Sequence, residues 1–129
     1  MNRKQYIQGW FLKADHDLLA VQKEIASKEP LTDIACFHCQ QCVEKYLKAY
    51  LIFHSKKFPK THVLEDLTFL CGEIDKHFES LTDAVADLTG FAVEIRYPDV
   101  LYIPTIEQAK SALKTAILVK EFDRNRIDL

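Results

Sequence analysis

Cys36-x-x-Cys39-x-x-Cys42, with His38 inside the run and Cys71 downstream, carries the two side-chain types that zinc prefers, thiolate and imidazole. The spacing works against a metal centre. Each three-residue step along a helix turns a side chain by about 60° and climbs about 4.5 Å, so the three thiols cannot close a tetrahedron by themselves. They fall instead on one apolar arc with Val43, Tyr46, Leu47, Ala49, Tyr50 and Phe53. Free cysteine is among the most buried residue types, and the sequence predicts reduced core thiols with no metal or other cofactor.

A second set of residues suits an anion. His38, Lys45 and Lys48 share one helical stretch with the cysteines, and Lys56, Lys57, Lys60 and His62 follow in a run from 54 to 62 that contains no carboxylate. Together they could line a cationic rim for the phosphate of a nucleotide or of RNA. Glu44, four residues before Lys48, already offsets part of that charge. Arg96 is the sole arginine between Arg3 and Arg124, and it stands just before Tyr97-Pro98, where a helix must stop. Its guanidinium could grip phosphate or make a bidentate contact with Glu44 across the bundle or a dimer seam, and the structural or interface role is favoured. With glycine only at 9, 72 and 90 there is no phosphate-cradling loop, and neither Gly-x-Ser-x-Gly nor His-Glu-x-x-His occurs.

Helices must position these groups. Ile7, Trp10, Ala14, Leu18, Val21 and Ile25 recur at three- and four-residue steps and predict a first helix. Pro30 breaks it, Thr32 or Asp33 can cap the next helix, and that helix runs to about Phe53, packed antiparallel on the first through a short connection. Thr61 is the expected cap of a short third helix bearing Leu64, Leu67, Leu70 and Cys71. Ser80 is the expected cap of a fourth with Leu81, Val85, Leu88, Ala92 and Ile95. Pro98 and Pro104 bracket an extended loop, and Thr105 with Gln108 forms a capping box for a last helix whose stripe is Ile106, Ala109, Leu113, Ala116 and Ile117. The fold class that follows is all-α, an up-and-down bundle of four to five helices.

At 129 residues and 48% hydrophobic content, the chain suits one domain over 1–129. A net charge of -2 argues against coating nucleic acid by bulk charge. No stretch reaches the roughly 18 apolar residues of a membrane span, and the opening residues lack a signal-peptide core. A cytoplasmic protein with no membrane partner is expected.

Phe37-His38-x-Gln40-Gln41-x-x-Glu44-Lys45-x-Leu47-Lys48-Ala49, then Pro59-Lys60-Thr61-His62-x-Leu64-x-x-Leu67, then Arg96-Tyr97-Pro98, together resemble the HEPN family of small helical proteins over most of the chain. Cysteines at 36, 39 and 42 replace the small residues habitual there, which touches packing more than polarity. The resemblance implies a homodimer associated with a minimal nucleotidyltransferase in a toxin-antitoxin-like pair. Phe37, Gln40, Gln41, Glu44, Lys48 and Leu51 would form the seam, with Arg96 and Tyr97 at its rim. Apolar Phe37, Leu51 and Ile52 on the far side of the helix support such a second packing surface. In some pairs of this family a tyrosine near the catalytic motif is adenylylated, which would point to Tyr97 or Tyr102.

Many HEPN proteins are metal-independent ribonucleases with an arginine and, after four to six intervening residues, a histidine. Here positions 101 to 103 are Leu101, Tyr102 and Ile103, so no imidazole stands at that spacing to move a proton. Ribonuclease activity is not carried over. Two alternatives remain open at this point: a divergent ribonuclease in which Arg96 works with His38 or His62, and a stand-alone nucleotide-binding module served by the 54 to 62 loop.

Overall fold

Asn2 opens α1 (Arg3–Ile25) with a reciprocal cap, its side chain accepting the Gln5 N–H at 2.8 Å while Gln5 accepts the Asn2 N–H at 3.0 Å. The computed structural model describes residues 1–92 and 102–129. Among them five α-helices form an all-α fold: α1, α2 (Thr32–Phe53), α3 (Leu64–Ile74), α4 (Thr82–Thr89) and α5 (Ile106–Arg124), with 3-10 turns at Lys76–Leu81 and Gly90–Ala92.

Helix α2 is the axis. The Phe11 ring meets Tyr46 at 5.5 Å, Asp17 reaches His38 and Lys45, and the Arg3 guanidinium lies 5.5 Å from the Phe53 ring, so α1 runs antiparallel to α2 as the short connection predicts. Helix α5 lies along both. The Thr32 hydroxyl donates to the Pro104 carbonyl at 2.6 Å at one end, and Arg124 stacks 4.5 Å from Phe11 and pairs with Asp15 at the other. Its buried line is Ala109, Ala112, Ala116, Val119 and Asp123, where the small residues let it approach closely. Leu113 and Ile117, expected in that stripe, sit at its edge and are only partly buried. The Thr105 and Gln108 capping box forms as predicted. Helices α3 and α4 cover the remaining flank of α2, with Leu64, Leu67, Cys71, Phe78, Leu81, Val85 and Leu88 turned into the common core.

Being covered from several sides changes the reading of α2. Leu51, expected on an outer seam, has no exposed surface, and Gln40 and Glu44 are buried as well. The buried arc is wider than half a turn because α1, α3, α4 and α5 all touch this one helix. Leu51 therefore belongs to the protomer core and not to a dimer seam. Phe37, Gln41 and Ile52 stay half-buried, and Ile34, on the same face as Phe37 and Gln41, is 43% exposed.

Three caps differ from expectation. Leu31, not Thr32 or Asp33, occupies the cap position of α2, since the Thr32 hydroxyl is spent on Pro104. Thr61 accepts the Val63 N–H at 3.0 Å in a turn ahead of α3, whose cap position is Val63. Ser80 donates to the His77 carbonyl inside a 3-10 turn that Asp75 caps, and the fourth helix starts only at Thr82 and gives way at Gly90. Ile95, placed in that helix by its spacing, lies outside the described residues. Among the described residues no helix is long and apolar enough to cross a membrane.

Candidate functional site

Helix α2 carries a polar centre on each flank, each built around a buried carboxylate. On the α3 side, Glu44 Oε1 accepts from Gln40 Nε2 at 3.2 Å and meets His62 Nδ1 at 2.8 Å, while Oε2 accepts from Lys48 Nζ at 3.1 Å. Gln40 also donates to the His62 carbonyl at 3.1 Å and accepts from Gln41 Nε2 at 2.7 Å. The Lys48 side chain is only 12% exposed and lies 5.9 Å from the Phe58 ring. This network fastens the loop after α2 to the helix face, because every hydrogen-bonding group that it buries is matched.

On the α1 side, Asp17 takes His38 Nδ1 at 2.8 Å and Lys45 Nζ at 2.5 Å. Next to it Asp15 accepts from the Tyr46 hydroxyl and pairs with Lys120 at 3.0 Å and Arg124 at 3.8 Å. Burial, reinforced by that bond to Asp15, pushes the Tyr46 phenol well above its ordinary range, so it keeps its proton and donates it to Asp15.

Among the described residues, the expected anion-binding side chains are thus not brought together as one rim. His38 and Lys45 turn to Asp17, and Lys48 and His62 turn to Glu44 on the other flank of α2. Lys60 is exposed in the loop, without an ion pair among the described residues. Each helix cation has a carboxylate within reach, which leaves little unbalanced charge for phosphate at either centre. Arg96 and Tyr97 lie outside the described residues. Tyr102 is 40% exposed ahead of α5 and lines a cavity of about 320 Å³ with Asp87, Phe91, Gln108 and Thr115.

Phe37 stacks edge-on to the His38 ring, with centroids 5.4 Å apart. The four cysteines are free and buried. Burial, with Asp33 adding to it, raises the Cys36 thiol to about 11. Burial, with Asp17 and Asp15 adding to it, raises Cys42 to about 12, and Cys39 and Cys71 are pushed higher still. Thiols held protonated in this way are poor nucleophiles at neutral pH. Among the described residues no group of three histidine, cysteine or acidic side chains is placed to hold a metal ion.

Asp17, Asp15 and Asp123 have roles that the pattern reading passed over, and their positions carried the signal. Asp17 adjoins Leu18 on the stripe that runs from Ala14 to Val21, and Asp123 continues the line Ala109, Ala112, Ala116, Val119 at the same three- and four-residue steps. An acid in such a row has to be buried.

The family model of the HEPN domain matches residues 7–126. Among solved structures, the chain is similar to TT1696 from Thermus thermophilus, with 26% identity and a TM-score of 0.83 over 98% of this chain and 100% of that one. It also shares its fold with ST0689, an archaeal HEPN homologue, at 22% identity and a TM-score of 0.72 over 95% of this chain and 98% of that one. No curated protein matches it. A match running through nearly all of α1 to α5 makes this chain a member of the HEPN domain family.

Proposed function

We propose that this HEPN domain acts in the cytoplasm by association, as a homodimeric binding module that partners a minimal nucleotidyltransferase in a toxin-antitoxin-like pair. The observation that carries this reading is the state of α2. Its ionic residues are held in networks around Glu44 and Asp17, while Ile34 is exposed on its N-terminal half beside the half-buried Phe37 and Gln41. A helix that buries its ionic groups and shows apolar side chains is arranged for contact with another protein surface.

The divergent-ribonuclease reading gains no comparable support. His38 and His62 are each held by a carboxylate on opposite flanks of α2, and the positions that follow Arg96 after four to six intervening residues are Leu101, Tyr102 and Ile103. The seam that fits the described surface is centred on Ile34, Phe37 and Gln41, with the rim role of Arg96 and Tyr97 retained from the sequence.

Light scattering tests the association. The protein at micromolar concentration has the mass of a dimer, and Ile34→Glu, which places a charge on an exposed position that the fold does not need, converts it to a monomer with its helix content unchanged. A wild-type monomer, or an Ile34→Glu variant that remains dimeric, contradicts the proposed seam.

A further inference from the structure

Gly9 sits in the interior of α1, where glycine costs a helix about 1 kcal/mol relative to alanine. Nothing among the described residues asks for it. No glycine among the described residues has a positive φ, and a Cβ at position 9 would meet no atom within 4 Å. The bare backbone floors a shallow groove of about 340 Å³, walled by Tyr6 and Trp10 and closed by Met1, Lys13 and Lys45. Glycine at such a point lets another backbone or side chain come close to the helix.

The surroundings select the kind of visitor. The walls are mostly carbon, and the first fourteen residues hold Arg3, Lys4 and Lys13 with no aspartate or glutamate. Lys45, the other cation of the lining, is already paired with Asp17. A second copy of this chain laid on the same face would set these cations against each other. A nucleobase would find no flat platform, because the Tyr6 and Trp10 rings meet edge to face at 88° with centroids 6.2 Å apart. A free small ligand would stay largely in water in a groove this open.

We infer that this groove docks an amphipathic helix of a partner protein, one that presents apolar side chains to Tyr6, Trp10 and the Gly9 backbone and a carboxylate to Lys13 at the edge. Such a helix matches the groove in both respects, apolar along the floor and negative at the rim. The inference rests on the binding-module reading above and gives the partner's contact surface its chemistry.

Trp10 is the only tryptophan in the chain, so its emission reports directly on the groove. The full chain is titrated with a Leu/Glu amphipathic helical peptide of about 15 residues, or four turns, lacking tryptophan and tyrosine. Trp10 emission shifts to the blue and saturates. The same peptide with lysine for glutamate produces no shift. Lys13→Glu weakens binding by about tenfold or more through like-charge contact. Gly9→Leu removes binding while the thermal midpoint stays level or rises, since leucine favours the helix and its Cβ enters open space.

The inference is overturned if the acidic peptide leaves Trp10 unchanged, or binds Lys13→Glu and wild type equally. It is overturned in favour of nucleic acid if only oligouridylate moves the emission, and in favour of a second copy if Gly9→Leu dissociates a dimer. A protein that keeps its dimer and its co-purifying partner when Gly9 is leucine refutes the groove and leaves the binding-module reading standing. One that binds the peptide but has no partner in its own cells does the reverse.

Discussion

Glu44→Ala lowers the free energy of unfolding by about 3–5 kcal/mol, the range found when one member of a buried ion pair is removed. Three groups lose their acceptor at once. The Lys48 ammonium, on a side chain 12% exposed, keeps its charge without a partner, Gln40 Nε2 loses one of its two acceptors, and His62 is released from the helix. The loop after α2 then loosens, because His62 holds it through both its ring and its carbonyl. Glu44→Gln retains one carbonyl acceptor but loses the charge and sets an NH2 donor where the second oxygen accepted, and its loss is smaller, about 1–3 kcal/mol. Urea unfolding of the two variants measures both. Adding Lys48→Met to Glu44→Ala returns a large share of the loss, since the unpaired cation is what the single variant leaves behind. A Glu44→Ala protein within about 0.5 kcal/mol of wild type, the range of ordinary surface substitutions, contradicts this account of the network.

Asp123→Asn stabilises the protein at neutral pH by about 1–3 kcal/mol and alters its pH dependence. Asp123 is completely buried, and neither carboxylate oxygen has a hydrogen-bond partner among the described residues. Burial drives its pKa well above the ordinary aspartate range, and the nearby Arg124 and Arg126 pull it down by less. Tyr50 from α2 and Cys71 from α3 face the same spot, and the charge of Asp123 adds to the rise of both, behind burial itself. The folded state therefore holds this proton more tightly than the unfolded chain does. For an acid raised in this way, stability is greatest below the unfolded value of about 3.9 and falls as the pH climbs towards the folded value, by about 1.4 kcal/mol per unit in between. Asparagine does not titrate, so the difference between variant and wild type opens above about pH 4 and closes below it. Thermal melts across pH 4 to 8 read that divergence. A variant less stable than wild type at pH 7 would mean that the carboxylate has a partner.

Asp75 shows the opposite sign. The His77 backbone N–H, with the His77 ring and Arg126 assisting, holds its carboxyl below the ordinary range. That stabilisation is present above the unfolded aspartate pKa and is lost as the pH falls through the lower folded value.

Periodicity made α1, α2 and α5 legible, because each long helix repeats apolar residues over five or six turns and carries a break or cap at its ends. It failed where burial was shared. The wheel of α2 has a single apolar arc, and Leu51, Gln40 and Glu44 fall outside it, yet helices on several sides cover them. No single-helix pattern contains that information. The 3-10 turn at Lys76–Leu81 was equally hidden, since Asp75 and not Ser80 supplies the local side-chain acceptor. The cysteines read correctly as core side chains because their three-residue steps follow the apolar arc. The cationic set read as one rim because a sequence lists charges along one dimension, whereas two acids from different places, Asp17 and Glu44, divide it between two flanks.

The central claim is that this HEPN domain works by association with a nucleotidyltransferase, and intact-mass analysis of the protein purified at native expression from its own cells tests it most directly. The account predicts a small nucleotidyltransferase in the same complex, with or without a mass increment of one or more AMP groups that maps to Tyr97 or Tyr102. A homodimer that emerges unmodified and without any partner would contradict it.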